Sequence, residues 1–325
     1  MLMVQRRSDT VEFLREDLQR VEETLRALPM IDYPAIEEAI DHLLDSGGKR
    51  VRPTLTLLTS RLYQADMDKV VSLAAAVEML HTATLVHDDV IDGSLLRRGS
   101  PTLNAIWTPG TTILVGDYLF SRAADLAAKS DHVRVMQIFA RTLMTIVTGE
   151  LSQMFESDSR LSRQAYDRRI YAKTASMFEL ATEAAGVLCR APEDQIQVLS
   201  AFGRDLGMAF QIVDDVLDFT GDPSEVGKPV GGDLQRGIVT LPALMYLERH
   251  PEEAPIAPRL GDGYRDAKEV TRLVEAIRRS DAIDISLDEA REYARRSQRA
   301  LSYLPECSAR QAMWELAEYV ITRTN

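Results

Sequence analysis

Cysteine is all but missing: the 325 residues include only Cys189 and Cys307. Two thiols cannot build a disulfide framework or a cysteine-based zinc site, and they suit a reducing, cytoplasmic compartment. Proline (13) and glycine (17) are sparse and aromatics make up 6%, which excludes collagen-like and low-complexity chains. Positive charge is the minority sign, with 38 Lys and Arg against 50 Asp and Glu, for a net charge of −12. A surface without spare cations is not built to bind nucleic acid, where affinity comes from neutralising phosphates. The first ten residues carry Arg6, Arg7 and Asp9 and no apolar run, so they do not read as a secretory signal. Nor does any window read as the roughly 18 charge-poor apolar residues of a membrane span. No transmembrane segment is expected.

What is present is helix. Val11, Leu14, Leu18, Val21 and Leu25 recur three or four apart, the spacing of an amphipathic helix. Tyr33-Pro34 opens a second helix, with proline in its first turn, and Gly47-Gly48 ends it. Arg52-Pro53 opens a third, and a fourth runs over 69–92 and stops at Gly93. Further helices are predicted over 112–129, 133–158, 163–189, 193–220, 241–250, 266–280, 287–304 and 309–322. Alternating β-branched runs are missing, so no sizeable sheet is expected. The stretch 251–264, with three prolines and two glycines, reads as a surface loop. The chain therefore reads as a single all-α domain over 1–325.

Two phrases stand out: His87-Asp88-Asp89-Val90-Ile91-Asp92 and Val213-Asp214-Asp215-Val216-Leu217-Asp218. Both have the form D-D-x-x-D and close an apolar helix. At 3.6 residues per turn the first and last aspartates lie on one face. Carboxylates crowded near the negative end of a helix dipole repel one another and call for cations. Hard oxygen ligands open to solvent suit Mg²⁺ bridging to phosphate oxygens. One such cluster reads equally as a solvated helix end; two matched copies favour metal.

The cations fit a polyphosphate. Gly47-Gly48-Lys49-Arg50-Val51-Arg52-Pro53 puts three of them at a helix N-terminus, where backbone N–H groups and the dipole also attract anions. Arg97-Arg98-Gly99 follows the first aspartate cluster. His81 lies two turns before Asp88 on one stripe, either a core histidine or a ligand contact.

These motifs identify the resemblance. GGKRVRP, EMLHTATLVHDDVIDGSLLRRGSPTLN, GDYLF, YAKTASMFELA, FQIVDDVLDFTGD and GKPVGGDLQRGIVTLPAL make the chain similar, over essentially its whole length, to the trans-isoprenyl diphosphate synthases (the polyprenyl synthetase family). The resemblance implies an all-α helical bundle of the isoprenoid synthase type around a central cavity, and a homodimer. It assigns Lys49, Arg52, His81 and Arg98 to the diphosphate of isopentenyl diphosphate. Arg97, Lys173, Thr174, Gln211 and Lys228 would hold the allylic diphosphate or its developing cation. Asp88, Asp92 and Asp214 would be the main Mg²⁺ ligands, supported by Asp89, Asp215 and Asp218. The chain departs from the family pattern at Gly232 and Ile238, where many members carry lysine.

The activity implied is head-to-tail condensation to a trans-polyprenyl diphosphate. A terpene cyclase of the same fold is the runner-up, although cyclases usually lack the second aspartate cluster and the Lys49/Arg52 loop. A non-catalytic partner subunit of a heteromeric synthase would be expected to have eroded aspartates. Product length follows from the stripe below Asp88. Thr84 lies about 6 Å lower, Ala83 beside it, Leu80 two turns down and Val77 about three. Short-chain relatives commonly carry an aromatic at the Ala83 or Thr84 position. Both are small here, so C30–C50 products are expected, with geranylgeranyl as the alternative if Leu80 or Phe139 closes the path.

Overall fold

The helical periodicity of the sequence is realised almost throughout. The structure, a computed structural model, describes residues 12–27, 33–45, 48–97, 99–155, 162–221, 230–251 and 267–323. The fold is all-α. Its helices are α1 (Arg15–Arg26), α2 (Pro34–Asp45), α3 (Val51–Ser60), α4 (Met67–Ile91), α5 (Leu103–Ile106), α6 (Pro109–Ala128), α7 (Val133–Phe155) and α8 (Arg163–Ile170). They continue with α9 (Ser176–Leu188), α10 (Glu193–Thr220), α11 (Gly232–Gln235), α12 (Leu241–Arg249), α13 (Ala267–Arg279), α14 (Ala282–Leu301) and α15 (Ser308–Thr322). Contacts gather the chain into two compact units, one from residues within 1–141, 177–200 and 301–313, the other from 142–176, 201–300 and 314–325.

The first unit is built on α4. Asp66 caps its start by accepting from the Asp68 N–H at 3.2 Å, which satisfies one orphan donor. The helix packs chiefly on α6, then on α3 and α1. Val77, Leu80 and Ala83 are fully buried, and every residue of α3 is buried. α4 corrects one sequence expectation. It holds an 18-residue window of mean hydropathy 1.4, long and apolar enough to cross a membrane, yet 78% of that window is buried inside the protein. Its apolarity is that of a core helix surrounded by other helices.

The second unit has its own core. Tyr166, Ile170, Ile212, Phe219, Leu244 and Leu273 are among its buried members.

Three local features differ from the periodic reading. The predicted helix over 163–189 is interrupted by one π turn, Tyr171–Ala175. α14 starts at Ala282 rather than 287 because Ser280 Oγ accepts from the Ala282 N–H at 3.2 Å. A two-residue antiparallel hairpin pairs β1 (Leu96–Arg97) with β2 (Ser100–Pro101). The predicted loop over 252–264 and the predicted helix end over 156–158 lie outside the described residues.

Candidate active site

The end of α4 sets the first aspartate cluster. Asp92 caps the helix, and Gly93 follows at φ +60°. The Ser94 N–H reaches the Asp89 carbonyl at 2.9 Å and the Gly93 N–H that of Val90 at 3.2 Å. These are the two bonds of a Schellman motif, whose left-handed residue favours glycine. Asp88 and Asp92 are thereby held one turn apart, Asp88 buried and Asp92 exposed. Asp89 turns inward, only 3% exposed. Arg97, placed by the hairpin, donates to it from Nε (3.0 and 3.2 Å) and from Nη2 (2.9 Å). Burial raises the Asp89 pKa, Arg97 opposes that rise, and Asp88 and Asp92 add to it.

The cationic loop divides its labour. Arg50, left-handed at φ 49°, donates to Glu22 at 2.6 Å, Glu78 at 2.9 Å and the Leu44 carbonyl at 3.0 Å. It fastens the loop rather than offering its charge outward. Lys49 is partly exposed, and Arg52 is buried with its guanidinium 5.0 Å from the Phe178 ring centre. His81 is partly buried on α4, where its carbonyl accepts from Thr84 Oγ1 at 2.7 Å.

The second aspartate cluster occupies the last turns of α10. Asp215 is buried, accepting from Tyr166 Oη and Gln211 Nε2, each at 2.8 Å. Burial, then the neighbouring Asp233 charge, push its pKa up to about 7 against those two donors. Asp218 accepts from the Gly232 and Asp233 N–H groups, each at 3.1 Å. Burial and Asp233 raise its pKa to about 6. At Gly232, where many family members carry lysine, an added Cβ would lie 3.3 Å from Asp218 Oδ1. Asp214 is half-buried, its side chain 40% accessible and paired with Arg323 at 2.6 Å.

The π turn places Lys173 and Thr174. One extra residue per turn is a recurrent device at functional sites. Thr174 Oγ1 donates to Gln211 Oε1 at 2.6 Å, continuing the Gln211–Asp215–Tyr166 network. Lys173 Nζ lies 3.2 Å from Glu150. Arg98 and Lys228 lie outside the described residues.

Among the described residues no three His, Cys, Asp or Glu side chains form a ready-made cation cage. Magnesium does not require one, because it keeps several waters and takes one or two carboxylates with substrate phosphates. The exposure of Asp92 and the 40% accessibility left to the Asp214 side chain beside Arg323 fit that demand, whereas Asp89, Asp215 and Asp218 face inward to protein donors. Sequence reasoning missed Glu78, Tyr166 and Arg323 because their partners are distant in the chain. Gly116 left a local signal in GDYLF, now explained: a Cβ there would come within 2.2 Å of His87 Nε2.

Comparisons with known proteins agree with this chemistry. The polyprenyl synthetase family model matches residues 33–277. The chain is 39% identical over 311 residues to heptaprenyl diphosphate synthase component 2 of Geobacillus stearothermophilus, covering 95% of this chain and 96% of that one. It is 33% identical to octaprenyl diphosphate synthase of Escherichia coli K12, over 96% of this chain and 97% of the other. A crystal structure of polyprenyl synthase from Caulobacter crescentus CB15, complexed with calcium and isoprenyl diphosphate, superposes with a TM-score of 0.91 at 38% identity, covering 97% of both chains. The chain belongs to the polyprenyl synthetase family.

Proposed function

We propose that this protein condenses isopentenyl diphosphate with an allylic diphosphate, head to tail, to make a trans-polyprenyl diphosphate of C30–C50. The observation that carries the reading is the treatment of the two D-D-x-x-D clusters. In the first, Arg97 holds Asp89 while Asp92 is exposed; in the second, protein donors hold Asp215 and Asp218, while Asp214, paired with Arg323, keeps 40% of its side chain accessible. Heptaprenyl and octaprenyl synthases among the relatives support the product range.

Asp88, Asp92 and Asp214 are assigned to Mg²⁺, whose charge would neutralise the departing diphosphate as the allylic C–O bond ionises. Asp89, Asp215 and Asp218 fix the helix ends that carry them. Lys49, Arg52, His81 and Arg98 are assigned to isopentenyl diphosphate. Arg97, Lys173, Thr174, Gln211 and Lys228 are assigned to the allylic partner. Arg97 spends Nε and Nη2 on Asp89, leaving Nη1 for an anion. The carbocation is attacked by the isopentenyl double bond, and the released diphosphate takes the final proton. No protein base is required, which agrees with a sequence lacking a Ser/His/Asp or Cys/His arrangement.

The domain is taken to span 1–325 and to act in the cytoplasm as a homodimer. α7 offers a surface for self-association, with Met144, Val147, Leu151 and Met154 all exposed at helical spacing. A second reading, a two-component enzyme, is favoured by the name of the Geobacillus relative. One set of incubations with isopentenyl diphosphate and allylic starters, resolved by product length, decides. The chain alone should elongate, and Asp88→Ala or Asp214→Ala should each lose on the order of 10³-fold in rate while staying helical. Near-normal turnover in either variant would sink the metal assignment, and elongation only after a second protein is added would favour the two-component enzyme.

A further inference from the structure

The pair between Asp214 and Arg323 is asymmetric. The Asp214 side chain is 40% accessible and that of Arg323 only 4%. Arg323 follows the last turn of α15, its N–H bonded to the Tyr319 carbonyl at 3.1 Å. Its guanidinium lies 4.0 Å from the centre of the Phe210 ring. Nη2 donates both to Asp214 Oδ1 at 2.6 Å and to the Phe210 carbonyl at 2.7 Å. Nε is buried and has no hydrogen-bond partner among the described residues. Phe210 and Asp214 are one turn apart on α10, so the guanidinium is laid along that turn and ends on the carboxylate.

A buried cation must be compensated, and Asp214 is the carboxylate paired with this one. A divalent cation on the same carboxylate would meet the guanidinium's charge directly. Two cations sharing one carboxylate repel, so each weakens the other's hold, and the penalty is reciprocal.

Resting on the assignment of Asp214 to a metal, we propose that Arg323 is its built-in counter-ion. Arg323 occupies Oδ1 while the metal is absent and yields it on loading, so that metal binding loosens the last turn of α15. This would couple the second aspartate cluster to a segment distant in sequence. Arg323 is thus a positioning residue that sets how tightly Asp214 takes its metal.

The test uses Mn²⁺ alone as the probe, bound to the full chain and titrated by electron paramagnetic resonance. Arg323→Gln should bind the Asp214-dependent Mn²⁺ on the order of tenfold more tightly than the wild type, the worth of one charge-assisted hydrogen bond. Arg323→Lys, which keeps the charge, should stay near the wild type. In the wild type, saturating Mg²⁺ should speed amide exchange over residues 319–323. That second measurement needs no variant, so it decides the matter if Arg323→Gln fails to fold. Equal or weaker Mn²⁺ binding by a folded Arg323→Gln, or exchange unmoved by bound metal, would overturn the proposal. If Asp214→Asn binds as much Mn²⁺ as the wild type, the metal assignment itself falls, and the counter-ion role with it.

Discussion

At the scale of single residues, the first aspartate cluster depends on an atom that is missing. His87 immediately precedes Asp88. Its Nε2 lies 3.1 Å from the Ile113 carbonyl, and its ring sits 5.0 Å from that of Phe120 at a 59° tilt. Room for that ring exists because Gly116 has no side chain. An added Cβ would lie 2.2 Å from Nε2 and 2.3 Å from Cδ2. Gly116→Ala should therefore cost about 1–3 kcal/mol in chemical denaturation, the usual penalty of overpacking. Gly110→Ala, whose Cβ would meet nothing nearer than 4.0 Å, should be neutral or slightly stabilising. Adding His87→Ala to Gly116→Ala removes the clash and should recover part of the loss. If the double variant is less stable than Gly116→Ala alone, close packing is not what Gly116 provides.

Among the elements, the π turn depends on a second close approach. A Cβ on Gly149 would come within 2.4 Å of the Ala172 Cβ, so Gly149→Ala must push the π turn off α7. Lys173 and Thr174 would move with it, disturbing their contacts to Glu150 and Gln211. A displacement of about an ångström can cost 10²-fold in rate. The KM for the allylic substrate should accordingly rise several-fold more than that for isopentenyl diphosphate; equal changes in both would remove the π turn from the allylic site. No sequence pattern announced this turn. The apolar period runs on through Tyr171–Ala175, and one inserted residue is invisible to a search at 3.6 residues per turn. The aspartate helices were legible because their chemistry and their period agree: Asp88 and Asp92 fall on one face of α4 and Asp214 and Asp218 on one face of α10. Their partners were not. The bond from Arg323 to the Phe210 carbonyl spans 113 positions, and nothing local in TRTN marks it. Arg50 shows the converse, since the sequence counts it among three cations grouped for an anion and the fold spends it on Glu22 and Glu78.

For the molecule as a whole, the open property is product length. Under the proposed assignment it depends on how far a growing chain can run from the Asp88 end of α4. From Asp88 to Val77 that helix falls roughly 16 Å. Ala83, Leu80 and Val77 are fully buried, and Thr84 is 7% exposed with its hydroxyl tied to the His81 carbonyl. If the growing chain follows this stripe, as proposed, the small side chains at 83 and 84 are where a bulky substitution would stop it. Ala83→Phe and Thr84→Phe should therefore shift products toward C15–C20 while retaining turnover, because the metal end is untouched. Ala83→Phe carries a further cost. A ring forced into a fully buried alanine position should destabilise the fold by about 1–3 kcal/mol, so product analysis belongs at a temperature where the variant stays helical. Thr84→Phe, starting from a position with some accessibility, should cost less and separates the two effects. Shortened products from both variants would place the growing chain along α4. An unchanged product distribution from both, with stability lost only at Ala83, would mean that these small residues serve helix packing and that the chain grows elsewhere.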